Sequence, residues 1–269
     1  MRKTILITGA TDGIGLALAK RLANDNHLLL LHGRNAEKLA AIRQQLAFSH
    51  AQIETYQADF SRLDEVQQLA VQIRQQHSQL DVLINNAGVF RTAQPHTTSG
   101  IDIRFVVNTL APYLLTRLLW PLLHANSRVL NLSSAAQAPV DLQALQGQQH
   151  PTDAFNAYAQ SKLAITMWNH HLARQHPDGP LLLAINPGSL LASKMVQEGF
   201  GLPGKDLNIG ARILQRAALE DEFRQAQGQY FDNDLGTFND PHPDALSPSK
   251  NKALVEVIDK VLAQQGLAV

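Results

Sequence analysis

The chain has 269 residues, enough for one α/β domain with a full core, and Lys plus Arg balance Asp plus Glu at 23 each. That balance leaves no overall field to draw the protein onto nucleic acid or an anionic membrane, and the absence of cysteine removes disulfides, thiolate nucleophiles and cysteine-ligated zinc. The apolar run after Met1 to Thr4 breaks at Thr8-Gly9, too short for a signal or spanning segment, so the expectation is a cytoplasmic protein without membrane insertion.

The run TILIT from Thr4 predicts a buried strand, and GATDGIG leads from it into a helix-like segment, Gly13 to Asn24. Gly9 would permit a sharp exit from the strand, Gly13 would let the backbone approach a pyrophosphate, and Gly15 would allow close helix packing. The helix amino terminus attracts the negative charge, with Thr8 and Thr11 as further hydroxyl donors. The spacing is Gly-x-x-x-Gly-x-Gly, not Gly-x-Gly-x-x-Gly. A second strand, LLLLH near Leu28, ends in Gly33-Arg34; an acidic residue at that tip would bind a ribose hydroxyl, whereas Arg34 accepts a 2′-phosphate, which favours NADP(H) over NAD(H).

Helix-like segments at Ala36 to Phe48 and Asp64 to His77 alternate with IETYQ near Ile53 and VLIN near Val82; RVLNL near Arg128 and LLLAI near Leu181 follow. Strands this apolar are buried on both faces, so the pattern predicts an α/β fold: a single doubly wound Rossmann domain, 1–269, with a mostly parallel seven-stranded sheet and helices on both faces. A Gln-rich stretch, Gln137 to His150, lies within an insertion at 135–157 near the strand ends. After Pro187 the pattern loosens, then ends in an amphipathic helix from Lys250 to Gln264.

In this order the motifs resemble the short-chain dehydrogenase/reductase family in its typical branch. TGATDGIG looks like its nucleotide-binding motif, with Gly9, Thr11, Asp12, Gly13, Ile14 and Gly15 at the cofactor; many NADP-linked members carry a basic residue where this chain has Asp12. Asp59 matches the residue that contacts the adenine, with Phe60 beside it. In NNAG, Asn86, Ala87 and Gly88 would line the adenosine side, while Asn85 would stabilise the sheet. VNTLAPYLLT looks like the helix bearing the active-site Asn108, NLSS resembles the serine motif ending at Ser134, and YAQSK the Tyr-x-x-x-Lys motif of Tyr158 and Lys162. NPG would place Pro187 and Gly188 in a turn over the nicotinamide, and Ser193 lies near a family Thr position. The resemblance runs from Thr4 to about Ser193.

Tyr158 and Lys162 stand one helical turn apart on one face. A phenol of pKa ~10 is a poor acid at neutral pH, and a neighbouring ammonium lowers it. Tyr158 would then protonate a carbonyl oxygen, or deprotonate an alcohol, as hydride is transferred. The resemblance implies that Lys162 also binds the nicotinamide ribose, that Ser134 rather than Ser133 orients the substrate oxygen, and that Asn108 interrupts its helix and holds a water in a proton relay. The long 135–157 stretch is similar to the retinol-dehydrogenase-like subgroup. A lid at 189–210, with Leu190, Leu191, Met195, Phe200 and Leu202, would favour a lipophilic substrate.

The expected function is NADP(H)-dependent interconversion of a carbonyl and an alcohol on a lipophilic small molecule. Its rival is a catalytically silent NADP(H)-binding sensor or scaffold. His150, His170 and His171 have no zinc-site companions, so no metal is expected. The resemblance further implies that the helices of Asn108 and Tyr158 pair across a two-fold in a homodimer or homotetramer.

Overall fold

The computed structural model describes residues 2–191 and 204–267. The chain opens with β1 (Thr4–Ile7), α1 (Gly13–Leu22), β2 (Leu28–Gly33), α2 (Ala36–Gln45), β3 (Gln52–Gln57), α3 (Leu63–Gln76) and β4 (Val82–Asn85). A composite helix follows, made of the turn α4 (Ile103–Phe105), a π-helical turn Val106–Leu110 and α5 (Ala111–Leu119), leading to β5 (Arg128–Leu132). The short α6 (Leu142–Leu145) lies in the insertion, before α7 (Ala154–Gln175) and β6 (Leu181–Asn186). The remainder is α8 (Leu207–Leu219), β7 (Tyr230–Asp232), β8 (Thr237–Phe238) and α9 (Pro248–Gln264).

The strands form one sheet in the order β3-β2-β1-β4-β5-β6-β7-β8, parallel except for β7 with β8. The strand order reverses between β1 and β4, which opens a ligand crevice at their carboxyl ends. Six of the strands are the apolar runs located in the sequence, β7 makes up the expected seven, and β8 is an addition. It spans two residues, below what a period-two pattern can signal, and it exists because Phe238 closes an edge-to-face cluster with Phe223 and Phe231.

Side chains alternate across the sheet and divide the core into two layers. From β1, Leu6 joins the layer of α3, α5, α7 and α9, whereas Ile5 and Ile7 join that of α1, α2 and α8. Buried Arg128 at the start of β5 caps α8 through Nη1 to the carbonyls of Ala217 (2.7 Å) and Glu220 (2.8 Å). Pro112 has no N–H to offer the carbonyl of Asn108, and there the helix widens into its π turn, closed by Ala111 N–H on Val106 O. This is the predicted interruption. Among the described residues no helix is long and apolar enough to cross a membrane.

Candidate active site

At the reversal point the β1–α1 turn is drawn against the NNAG segment. Gly9 has φ +66°, and a Cβ on it would stand 2.9 Å from Ala87 Cα; a Cβ on Gly15 would collide with the Gly9 carbonyl oxygen. Asn86 Nδ2 donates to Thr8 O (2.7 Å) and Gly9 O (3.1 Å), while Thr8 Oγ1 accepts from Asn86 and Ala87 N–H at 3.0 Å each. Thr8 is therefore a structural hub, more than a hydroxyl donor for phosphate. Asp12 caps α1 by accepting from Gly13 N–H (2.8 Å) and pairs with Lys38 (2.7 Å). Lys38 thus brings a cation to the glycine turn from α2, a contribution that the sequence reading missed because the pairing spans two elements. Gly33 packs on Thr11, and Arg34 is exposed at the β2 tip.

Asp59 Oδ1 accepts from Ser61 N–H (2.9 Å). The Phe60 ring is buried in the core, stacked on His32 at 4.2 Å, which leaves its main chain to meet a ligand. Buried His32 joins both segments: Nδ1 accepts from Gly9 N–H (3.3 Å) and Nε2 meets Ala58 O (2.9 Å). Burial lowers its pKa to about 4, so the ring is neutral, and its partners assign the proton to Nε2.

The reacting groups gather at the ends of β4, β5 and β6. Asp153 caps α7 by accepting from Asn156 N–H (2.8 Å), which starts the helix one turn before Tyr158. Lys162 Nζ donates to Leu132 O (2.7 Å) and lies 5.6 Å from the Tyr158 ring centroid. Burial raises Tyr158, and a hydrogen bond from Ser134 pulls it back; burial lowers Lys162 to about 8. Ser133 points inward to Thr166 Oγ1 (2.7 Å), so the preference for Ser134 over Ser133 agrees with the side-chain directions.

Asn108 Nδ2 donates to Val89 O (3.0 Å) and Ser161 Oγ (2.9 Å), and its Oδ1 accepts from Val89 N–H (2.8 Å). These bonds fix the side chain, while the π turn leaves its main-chain carbonyl without the usual helical donor. Asn85 bonds Thr116 and Asn131, and Asn131 bonds Asn169, forming a buried amide chain from β4 to α7 that fits a sheet-stabilising role.

A cavity of about 170 Å³ joins the two ends. Ser134, Tyr158, Ile14, Pro187 and Gly188 line it, with Ala136, Phe90, Phe155, Leu190 and Leu191 adding apolar wall. Phe90 meets the Tyr158 ring edge-on at 5.3 Å, and its carbonyl accepts from buried Arg104 Nε (2.6 Å), itself paired with Asp102 (2.8 Å). Phe90 and Phe155 were missed in the sequence because neither lies in a motif. The Pro187 turn is held by Asn233 Nδ2 on Pro187 O (2.9 Å) and by Asp234 on Ser189 N–H (2.9 Å). Met195, Phe200, Leu202 and Ser193 lie outside the described residues. A larger groove of about 420 Å³ between Arg43, Tyr56 and His77 lies at the β3 edge of the sheet, and none of the motif residues lines it.

A family model described as short chain dehydrogenase matches residues 3–200. Retinol dehydrogenase 13 of Homo sapiens is 32% identical over 253 residues, covering 86% of this chain and 76% of its own. Retinol dehydrogenase 12 of Mus musculus is 31% identical over 245 residues, covering 85% and 77%. Among solved structures, a short chain dehydrogenase from Shigella flexneri 2a str. 301, complexed with NADP, is 27% identical with TM-score 0.68, covering 86% of this chain and 97% of its own.

Proposed function

The chain belongs to the short-chain dehydrogenase family, and from that premise we propose that it interconverts a carbonyl and an alcohol on a lipophilic small molecule with NADP(H), using Tyr158 as general acid and base. Its retinol-dehydrogenase-like relatives make it an oxidoreductase of CH–OH and C=O groups. The observation that carries the finer reading is one cavity lined by Ser134 and Tyr158 together with Ile14, Pro187 and Gly188, with Lys162 Nζ 5.6 Å from the Tyr158 ring centroid. The turn at Gly9 and Gly15 fits a dinucleotide, because a Cβ at either position would strike the chain's own Ala87, Asn86 or Gly9 atoms and break the tight turn on which a pyrophosphate would sit. When bound, the nicotinamide supplies or takes the hydride.

Ser134 Oγ accepts from Ala136 N–H (3.1 Å), so its own proton is free to point at the Tyr158 oxygen or at a substrate oxygen beside it. Tyr158 delivers its proton to the oxygen of a carbonyl undergoing reduction and recovers one in the reverse direction. Lys162, lowered to about 8, is still mostly protonated at neutral pH, and its charge favours the phenolate that remains after delivery. Its ammonium lies close to Gly88 and has donors beyond the bond to Leu132 O, so it would be able to hold ribose hydroxyls there. Arg34 and Lys38 together support a 2′-phosphate, and the Shigella flexneri relative was solved with NADP. The lipophilic substrate class is supported by the wall of Phe90, Phe155, Leu190 and Leu191 and by the names of the retinol dehydrogenase relatives.

The test is NADPH oxidation by wild type and Tyr158→Phe, with NADH in parallel, over aliphatic, aromatic and steroid-like aldehydes and ketones. Wild type should turn over members of the panel with NADPH preferred, and Tyr158→Phe should lose at least about a hundredfold in kcat while still binding NADPH. Equal turnover by the two proteins would remove Tyr158 from the chemistry, and faster use of NADH would remove Arg34 from cofactor choice.

A further inference from the structure

The Ser134 carbonyl is held by two side-chain donors. Tyr230 OH, on β7, donates to it at 3.1 Å, and Gln137 Nε2, in the insertion, donates at 3.0 Å. The two donors also meet each other, and Gln137 Oε1 accepts from His242 N–H (3.0 Å), which ties the insertion to the chain beyond β8. Tyr230 is buried, and burial first, with Asp232 and Asp234 nearby, pushes its phenol well above the ordinary range, so it remains a donor at every working pH.

With its carbonyl fixed, the Ser134 peptide directs the following turn so that Ala136 N–H returns to Ser134 Oγ. That bond uses an acceptor site on the hydroxyl and leaves the O–H to donate toward Tyr158. One serine is thus gripped by a tyrosine at its carbonyl and faces another at its hydroxyl. We propose that Tyr230 and Gln137 are positioning residues that act through Ser134: by holding its carbonyl they keep the Ser134–Ala136 turn in the form in which Oγ faces Tyr158. The proposal rests on Ser134 and Tyr158 being the catalytic pair, and it gives the Gln-rich insertion a duty at the reacting centre.

The experiment compares Tyr230→Phe and Gln137→Leu with Ser134→Ala and Tyr158→Phe, each saturated with NADP⁺. The near-ultraviolet phenolate signal is titrated against pH, and NADPH affinity is measured separately by fluorescence. Of the chain's four tyrosines, Tyr56, Tyr113 and Tyr230 are raised by burial well beyond the ordinary range, and Tyr158→Phe identifies the midpoint that belongs to Tyr158. Lys162 is the cation facing the Tyr158 ring and is present in every variant.

Tyr230→Phe and Gln137→Leu should move the Tyr158 midpoint upward, as Ser134→Ala does, while NADPH affinity stays within about twofold. Turnover of 4-nitrobenzaldehyde should fall about tenfold in parallel. If Ser134→Ala moves the midpoint and neither positioning variant does, the proposal is overturned and the catalytic reading stands. If Ser134→Ala also leaves it in place, both fall together. Should Tyr230→Phe fail to fold, Gln137→Leu, at a half-buried site, carries the same comparison.

Discussion

His32 is neutral at neutral pH because burial holds its imidazole at about 4, below the ordinary 6.5. As pH falls below 6.5 the unfolded chain takes up a proton that folded His32 refuses until about 4, so acidification through that window favours unfolding. For this one residue the loss approaches roughly 3 kcal/mol at the acid end. His170, also lowered to about 4 by burial, adds in the same direction. His32→Phe should flatten part of this slope in urea unfolding measured from pH 7 down to about pH 4. It should also weaken NADPH binding, because Gly9 N–H loses its acceptor. A variant with an unchanged slope would mean that His32 is not excluded from protonation. The role of His32 was illegible in the sequence: it depends on Phe60 and Ala58, which arrive from the far end of β3. Tyr230 was hidden in the same way, 96 positions from the carbonyl it holds. By contrast, Gly9, Gly15, Tyr158 and Lys162 lie in short motifs, and the order of those motifs along the chain, more than any one spacing, made them legible.

At the scale of elements, α1 can approach β1 and β4 only because Gly15 has no side chain. Gly15→Ala would drive a Cβ into the Gly9 carbonyl and the Asn86 amide, both fixed by hydrogen bonds. The helix must then lift from the sheet, at a cost of about 1–3 kcal/mol typical of overpacking. A lower melting temperature together with NADPH affinity reduced about tenfold is the expected result, and a variant with wild-type affinity would show that the turn does not set the cofactor's place. The first six strands were readable because each is a short apolar run between helix-like segments, whereas β7, three residues long, was counted in the expected sheet without being located. β8 was not readable, since its two residues gain their place from aromatic contacts with β7 and Phe223. The break at Asn108 is readable in hindsight from Pro112, four residues on, although its widening into a π turn needs the packing around Val89 and Ser161.

Across the whole molecule, α9 lies along α7 and is tied to α5 by one side-chain bond. Leu254, Val255, Ile258, Val261 and Leu262 are buried in the same layer as Leu163, Trp168 and Leu172, and Tyr113 OH donates to Asp259 at 2.8 Å. Because α9 covers apolar residues of α7, the expected outcome is that this part of the surface does not pair with a second subunit. Light scattering should give a mass near 29.5 kDa, whereas a stable doubled mass unaffected by substitutions on α5 and α7 would place an interface elsewhere. The sequence showed α9 as an amphipathic helix without showing what it covers, because amphipathicity states that a face is buried and not against which neighbour. The covering also has a consequence in time. The apolar side of α7 leaves the ribosome well before Pro248–Gln264 has been translated, so the nascent chain carries a bare hydrophobic seam through that interval. During that interval a chaperone that grips apolar helices would compete with the chain's own final helix for one and the same surface.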